Sequence, residues 1–523
     1  MTIDEFTLYL TKKEGDTMNK QRFITLSSFG LFFAATFLVN HSTAFAQTLS
    51  NEPLVAKNVQ GLDTASLQDA VNKSTHVLLN SGQTYIIDQP IEVDHALTIE
   101  TTGKEKAIIL NKNKDAHDHA FHFKNEAIST TTVVQNIQKD SPYIVLKNAS
   151  SIQPGQLLYV KSSKLWYWDA REGKENLSKG ELHQVQKVEG NKVYLNETTR
   201  DNYTLSQETL TVTNYENRSL TMKNLVFRHP DYNEGEKPYN TIMVKVDLST
   251  NALFDGVDVY GSRRAGILLD RTYKTTVTHS TIDLNITNKE IPSGYGVQDY
   301  GGMYNVIRDS YFIHVRRGID FSGITPSRFG RATGNTVIGP DKNILSSGNS
   351  GIGTHSTAED IIIDNNTVQG FSYSFLSRGN RITIRNNEST GTIRAFISAT
   401  YGDNILAYNN KYTNAQGGNA ENFLRVVKTF DGRITLRHNY AGVIIKDFVQ
   451  NDAPKTKGIS LLNNRGVFIQ KSATSSLLIR SIVPVKLTHS TITENTMTMR
   501  QGKKAFTKNV DLSSTTNVVD KAY

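Results

Sequence analysis

Five segments in the second half of the chain share one form, an alternating apolar strand closed by two polar corner residues of which the second is asparagine. They read IIIDNNTV, ITIRNNEST, ILAYNNKYT, ITLRHNYAG and ISLLNNRGV, and the second asparagine falls at Asn366, Asn387, Asn410, Asn439 and Asn464, at intervals of 21 to 29 residues. Upstream, VIRDSYF and GNTVIG keep the same phase. Each interval carries a second short apolar segment, among them AGILLDR, GYGVQDY, RGIDFSG, SGIGTHS, YSFLSRG and RAFISAT. A unit of this length cannot bury its apolar face alone and must stack on copies of itself. Short strands, little helical pattern and an asparagine at one corner predict a parallel β-solenoid; the Leu-x-x-Leu-x-Leu frame of a leucine-rich horseshoe is absent. Asparagine tolerates the left-handed corner conformation, and stacked asparagines can hydrogen-bond along the stack.

Around this repeat the text divides. Residues 47–140 form an N-terminal cap and first coils, opening with a short amphipathic helix around Leu67 to Val71 that covers an edge otherwise prone to aggregate. Residues 141–215 change character and predict a small β insertion, with a hairpin at Glu189-Gly190-Asn191 and with Trp166 and Trp168 beside Tyr167 in its own core. Coils carrying the groove follow over 216–499, and 500–523 are a tail.

The start of the chain bears on where it works. From Met18, the basic Lys20 and Arg22 precede an apolar run to Val39 and an Ala44-Phe45-Ala46 cleavage pattern before Gln47, the anatomy of a secretory signal over 18–46. Residues 1–17 fit poorly before such a signal and are expected outside the mature protein. The reading is a secreted or periplasmic protein with no stable membrane span after cleavage. There is no cysteine, which removes disulfides, thiolate nucleophiles and Cys-ligated metals. A net charge of +8 favours a polyanionic partner, and export makes that partner an acidic polysaccharide and not nucleic acid.

On RRGIDFSG, GIGTHSTAEDIIIDNN and SFLSRGNRITIRNN the chain resembles the right-handed parallel β-helix proteins of the pectate lyase superfamily. It looks most like secreted polyuronate lyases and C5-epimerases and like bacteriophage tailspike depolymerases. The resemblance implies an all-β, right-handed parallel β-helix acting on a polysaccharide. It also admits Ca2+ as a bridge to a uronate, as related lyases use it, although no calcium loop or zinc motif is present here. The histidines His117, His119 and His122 share no helical face that would hold a metal. Two signatures are missing: the paired aspartates of polygalacturonases, and the Asp-Pro-His triplet of alginate epimerases, where this chain has Gly353-Thr354-His355. Monomer and trimer both stay open.

Strand parity places Ile267, Val297, Ile319, Ile352, Phe375, Phe396 and Phe423 in one interior column. The opposite parity presents Asp270, Gln298, Tyr300, Asp320, Ser322, His355 and Arg378, after which the column is expected to turn to Ala399 and Val426. Unlike titratable groups concentrated on a few coils suit uronate β-elimination. Arg378, Arg316 or Arg317 would neutralise the sugar carboxylate, His355 would take the C5 proton, and Tyr300 would protonate the leaving oxygen. Gln298 and Asp270 extend the substrate face, Arg263-Arg264 adds to its basic character, and Asp320 serves either the chemistry or a salt bridge. Two alternatives remain. A tailspike-like glycoside hydrolase would use Asp320 with Asp299 or Glu359, although Asp299 falls on the inward parity. A non-catalytic glycan-binding surface protein would favour a repeated column over a cluster.

Overall fold

The structure is a computed structural model that describes residues 56–113, 119–166, 177–230, 232, 242–285, 294–340, 348–413, 421–427, 429–444, 446–468, 478–499, 508–511 and 521–522. The signal over 18–46 and the residues before it lie outside these, as do His117, Tyr167 and Trp168. Residues 54–523 make one compact unit. Among the described residues no helix is long and apolar enough to cross a membrane.

The chain winds as a right-handed parallel β-helix whose typical coil contributes three short strands, with a fourth of two residues at Ser327–Arg328 and at Ala358–Glu359. One coil consists of Ala265–Asp270, Thr276–Thr278 and Thr281–Asp283, and the next of Tyr295–Tyr300, Val306–Arg308 and Tyr311–Ile313. Each strand pairs in parallel with its counterpart one coil on. Two strands beyond Met499, Lys508–Asp511 and Lys521–Ala522, continue the stack into the tail.

The corner asparagines divide their work. The first of each pair takes the left-handed conformation, with φ of 56° at Asn365, 53° at Asn386, 54° at Asn409 and 51° at Asn463, while His438 and Glu494 do the same on their coils. The second points inward and builds a buried ladder from Asn335 to Asn495, each side-chain amide donating to the next Oδ1 at 2.9–3.0 Å. Each also donates to a backbone carbonyl, as Asn387 does to Ile363 at 2.9 Å. From Asn335 to Asn464 each of the two amide protons thus has its own acceptor, which is what lets a polar side chain sit in a core.

The interior changes material along its length. In the sheet that begins each coil, Gly266, Gly296, Gly318 and Gly351 point inward, and a Cβ there would stand 2.3–2.8 Å from Ile282, Phe312, Val337 or Val368 on the facing sheet. Further on, Phe396, Phe423 and Phe448 occupy that level and stack at 4.8 and 5.0 Å. The sequence-based column is corrected here. Ile397 and Leu424 follow Phe375 in register, and Phe396 and Phe423 stand one residue earlier, although all are buried. Ala399 and Val426 follow Ser377, an interior residue, and do not follow Arg378. The cause lies in the strand itself, where Phe396 and Ile397 are adjacent and both buried, so alternation does not choose between them; the bulge comes later, after Ser377, where Gly379 pairs with Gly402.

At the N-terminus the expected helix spans Thr64–Asn72, capped by Asp63, whose carboxylate accepts from the Ser66 N–H at 2.8 Å. It buries Leu67, Ala70 and Val71 on the end of the core. The insertion is a six-stranded antiparallel sheet that begins earlier than 141, at Ala127, and ends at Tyr215. Its Leu157, Tyr159, Leu182 and Tyr215 pack on the coil residues Leu248, Tyr273 and Met303. Beside them Arg328, fully buried, meets Asp201 at 2.7 Å and Glu359 at 3.0 Å. Trp166 is not part of the insertion's own core: it is buried against the coils, its ring 5.2 Å from the Arg328 guanidinium.

Candidate functional site

The outer face of the sheet that begins each coil carries the candidate residues. Parallel pairing sets Gln298, Asp320, Gly353 and Leu376 in one column and Asp270, Tyr300 and Ser322 in another, and the His355 N–H donates to Phe321 O at 2.8 Å to continue that second column. Strands about 4.8 Å apart bring such neighbours within reach of one sugar ring.

Four residues meet at one point. Arg317 opens its strand and forms a buried ion pair with Asp320, the side chains 2% and 0% exposed. Its Nε donates to Ser350 Oγ at 3.0 Å. Room for its stem comes from Gly353, where a Cβ would stand 2.9 Å from Arg317 Cδ and Nε. His355 lies over this pair, its Nε2 at 3.4 Å from Asp320 Oδ1 and 3.1 Å from Arg317 Nη1, and stays 19% exposed. On its other side Nδ1 is 3.4 Å from Arg378 Nη1. Arg317, at Nε2, and Arg378, at Nδ1, both offer only donors, so the single lone pair of a neutral ring can accept from one of them at a time.

The backbone holds this arrangement. Thr354 Oγ1 accepts from the Arg378 N–H at 2.8 Å and donates to Arg378 O at 2.7 Å. After His355 the chain closes a turn, the Ala358 N–H donating to His355 O at 2.9 Å. Gly379 passes so close to that turn that a Cβ would stand 2.1 Å from Ala358 O.

The charges follow from this packing. Burial, helped by Arg378 and Arg317, keeps the His355 pKa below its ordinary 6.5 against the pull of Asp320. Burial alone would raise the Asp320 pKa, but the hydrogen bond from His355 and the charge of Arg317 outweigh it and hold the carboxylate well below the usual range. Burial raises the Tyr300 pKa, so the phenol stays protonated at neutral pH. The site therefore presents a neutral imidazole beside a cation, over a sealed anion.

The remaining expected residues are dispersed. Tyr300 packs with Tyr295 against Leu268 and Ala265, two coils from His355. Asp270 is held by Arg271 at 2.8 and 3.0 Å. Gln298 donates to Ser322 Oγ at 3.2 Å, and Arg316 lies 3.4 Å from the Tyr295 hydroxyl. Arg317 is sealed in its ion pair and is not open to a sugar carboxylate. Asp299 is interior and fully buried, and Glu359 is tied to Arg328 and Arg381. Sequence reasoning missed the roles of Gly353 and Trp166. The Arg-x-x-Asp spacing of Arg317 and Asp320 was visible, but which arginine Asp320 meets depends on the fold.

At the N-terminal end of the same face His122 lies between Asp247 at 2.8 Å and Glu92 at 3.4 Å. His122 and Lys124 outweigh burial and hold Glu92 at about 2, and Asp247 is lowered by His122 and Lys245 in the same way. Among the described residues no group of three or more His, Asp or Glu side chains is placed to hold a metal ion.

Comparison with solved structures supports the fold. The chain superposes on the tailspike gp61 of Pseudomonas phage phi297 with a TM-score of 0.59 at 14% identity, over 88% of this chain and 73% of that one. For the tailspike gp49 of Pseudomonas phage LKA1 the TM-score is 0.54 at 14% identity, over 86% and 74%. For the gp54 tailspike of Acinetobacter baumannii bacteriophage AP22, solved in complex with A. baumannii capsular saccharide, it is 0.52 at 13% identity, over 87% and 76%. No family model matches the chain, and no curated protein matches it in sequence.

Proposed function

We propose that the chain binds an acidic, uronate-containing polysaccharide along this face and cleaves it by β-elimination at the His355–Arg378 cluster. The observation that carries the reading is the pairing of a partly exposed imidazole, held neutral, with a guanidinium at 3.4 Å, while the neighbouring carboxylate is sealed away. Arg378 would neutralise the sugar's C6 carboxylate and so acidify the C5 proton. His355 would take that proton; the electron pair forms the C4–C5 double bond as the C4–O bond breaks, and Tyr300 would give its proton to the departing oxygen.

Hydrolysis needs one protonated and one ionised carboxyl group open to the sugar. Asp320 is fully buried in its ion pair, and Glu92 and Asp247 are both held ionised, so neither place supplies the acid. The tailspike solved with a capsular saccharide supports a polysaccharide as the ligand class on this scaffold.

The test is the mass of the products released from a panel of acidic polysaccharides by protein from Gln47 onward. Elimination leaves new non-reducing ends lighter by one water. Saturated ends would move the chemistry to a hydrolytic pair, and binding without products would make the face a holder of glycan.

A further inference from the structure

The insertion reaches the proposed catalytic turn directly. The Trp166 indole N–H donates to the carbonyl of Ser356, the residue after His355, at 3.1 Å. Trp166 is 4% exposed and its ring covers Arg328, which is itself tied to Asp201 of the insertion and to Glu359 of the coil that carries His355. A second strap lies nearby, the Ser178 N–H donating to Ile324 O at 2.8 Å. The His355 turn is thus gripped from two sides, by Thr354 and Arg378 within the coils and by Trp166 from the insertion.

We infer that Trp166 is a positioning residue which, through the Ser356 carbonyl, sets the orientation of the His355 ring over the Arg317–Asp320 pair. This rests on the proposed role of His355, and it gives the insertion a function that its own core does not require. The physical reason is leverage. The ring's contacts with Asp320 and Arg378 both stand at 3.4 Å, where a small rotation of the turn trades one for the other. A carbonyl fixed one residue away removes that freedom, and misplacing a reacting group by about 1 Å costs as much as a hundredfold in rate.

Trp166→Phe keeps the ring over Arg328 and deletes only the donor. In protein labelled with 13C at histidine Cε1, the His355 resonance, identified by its loss in His355→Ala, is titrated in the wild type and in Trp166→Phe. Tyr194→Ala, on the insertion's solvent face, is the control. The expected result is a His355 midpoint displaced by about 0.3 pH units or more in Trp166→Phe alone, since its charge partners are re-spaced. With it, kcat on the cleaved polysaccharide falls roughly tenfold and KM stays within about twofold. Superimposable titrations would overturn the inference, whatever the change in stability. Should Trp166→Phe not fold, the wild-type indole N–H resonance of Trp166 decides: it shifts with His355 protonation if the two are linked and stays constant through that range if they are not. If the wild type forms no unsaturated uronate, the proposed reaction fails while the titration still decides the role of Trp166.

Discussion

The His355 imidazole sits with Nε2 3.4 Å from the Asp320 carboxylate, which is itself closed off by Arg317 and has no exposed surface. A partly exposed imidazole is thereby backed by a buried anion, and the two can be perturbed separately.

Asp320→Asn leaves the Arg317 guanidinium, 2% exposed, without its counter-charge. Removing one partner of a buried pair typically costs about 3–5 kcal/mol. Chemical denaturation should show a loss of this size, larger than that for His355→Ala, whose ring is partly exposed.

The pH dependence has a definite sign. His355 titrates below 6.5 in the folded protein, so the basic form persists below the pH where a free histidine becomes charged. The acid limb of kcat/KM is expected below 6.5 for that reason. In Arg378→Ala the guanidinium that disfavours the imidazolium is gone, and the residual activity should show that limb moved to higher pH.

Gly353 has no left-handed backbone requirement, so Gly353→Ala costs nothing in the chain itself. Its new methyl would stand 2.9 Å from Arg317 Cδ and Nε and push the guanidinium off Asp320. Activity should fall about tenfold to a hundredfold with the β-helix intact by circular dichroism.

The adjacent corner residues Asn386 and Asn387 should respond to opposite chemistries. Asn386→Gly is expected to be neutral, since φ is 53°, whereas Asn386→Val should cost about 1–2 kcal/mol. Asn387→Ala removes bonds of 3.0 Å to Asn410 and 2.9 Å to Ile363 from the buried ladder and should cost about 1–3 kcal/mol or more. Urea midpoints of the three variants separate the two roles.

Asp299, in the interior one coil before Asp320, offers a separate stability test. Burial raises its pKa from 3.8 to about 7, while the Gly302 N–H at 2.9 Å and Asn305 oppose the rise. A raised folded-state pKa means the native state holds the proton more tightly, so its contribution is full below 3.8 and is lost as pH rises through about 7. The wild type should lose up to about 4 kcal/mol between roughly pH 4 and pH 8 from this group, and Asp299→Asn should not.

The solenoid was legible because its cause is local: an alternating strand and a corner residue that accepts positive φ recur in the text at Asn365 and Asn366 as at Asn463 and Asn464. Which of the two asparagines turns the chain and which builds the ladder was not, because both fit either place until neighbouring coils are stacked. Parity located His355, Arg378 and Asp320 on one face. It failed at Phe396 and Ile397, two adjacent apolar residues that are both buried, where alternation cannot say which one follows Phe375. The sealing of Asp320 by Arg317 depends on Gly353 one coil later, and the grip of Trp166 on Ser356 spans 190 residues, so neither could be read from spacing.

The most direct test is the ultraviolet absorbance of unsaturated uronate on an acidic polysaccharide that the protein binds, followed for the wild type, His355→Ala and Arg378→Ala with affinity measured alongside. The expected result is absorbance that rises for the wild type and falls by about a hundredfold or more in His355→Ala with binding retained. A His355→Ala protein that keeps the wild-type rate would contradict elimination at this cluster.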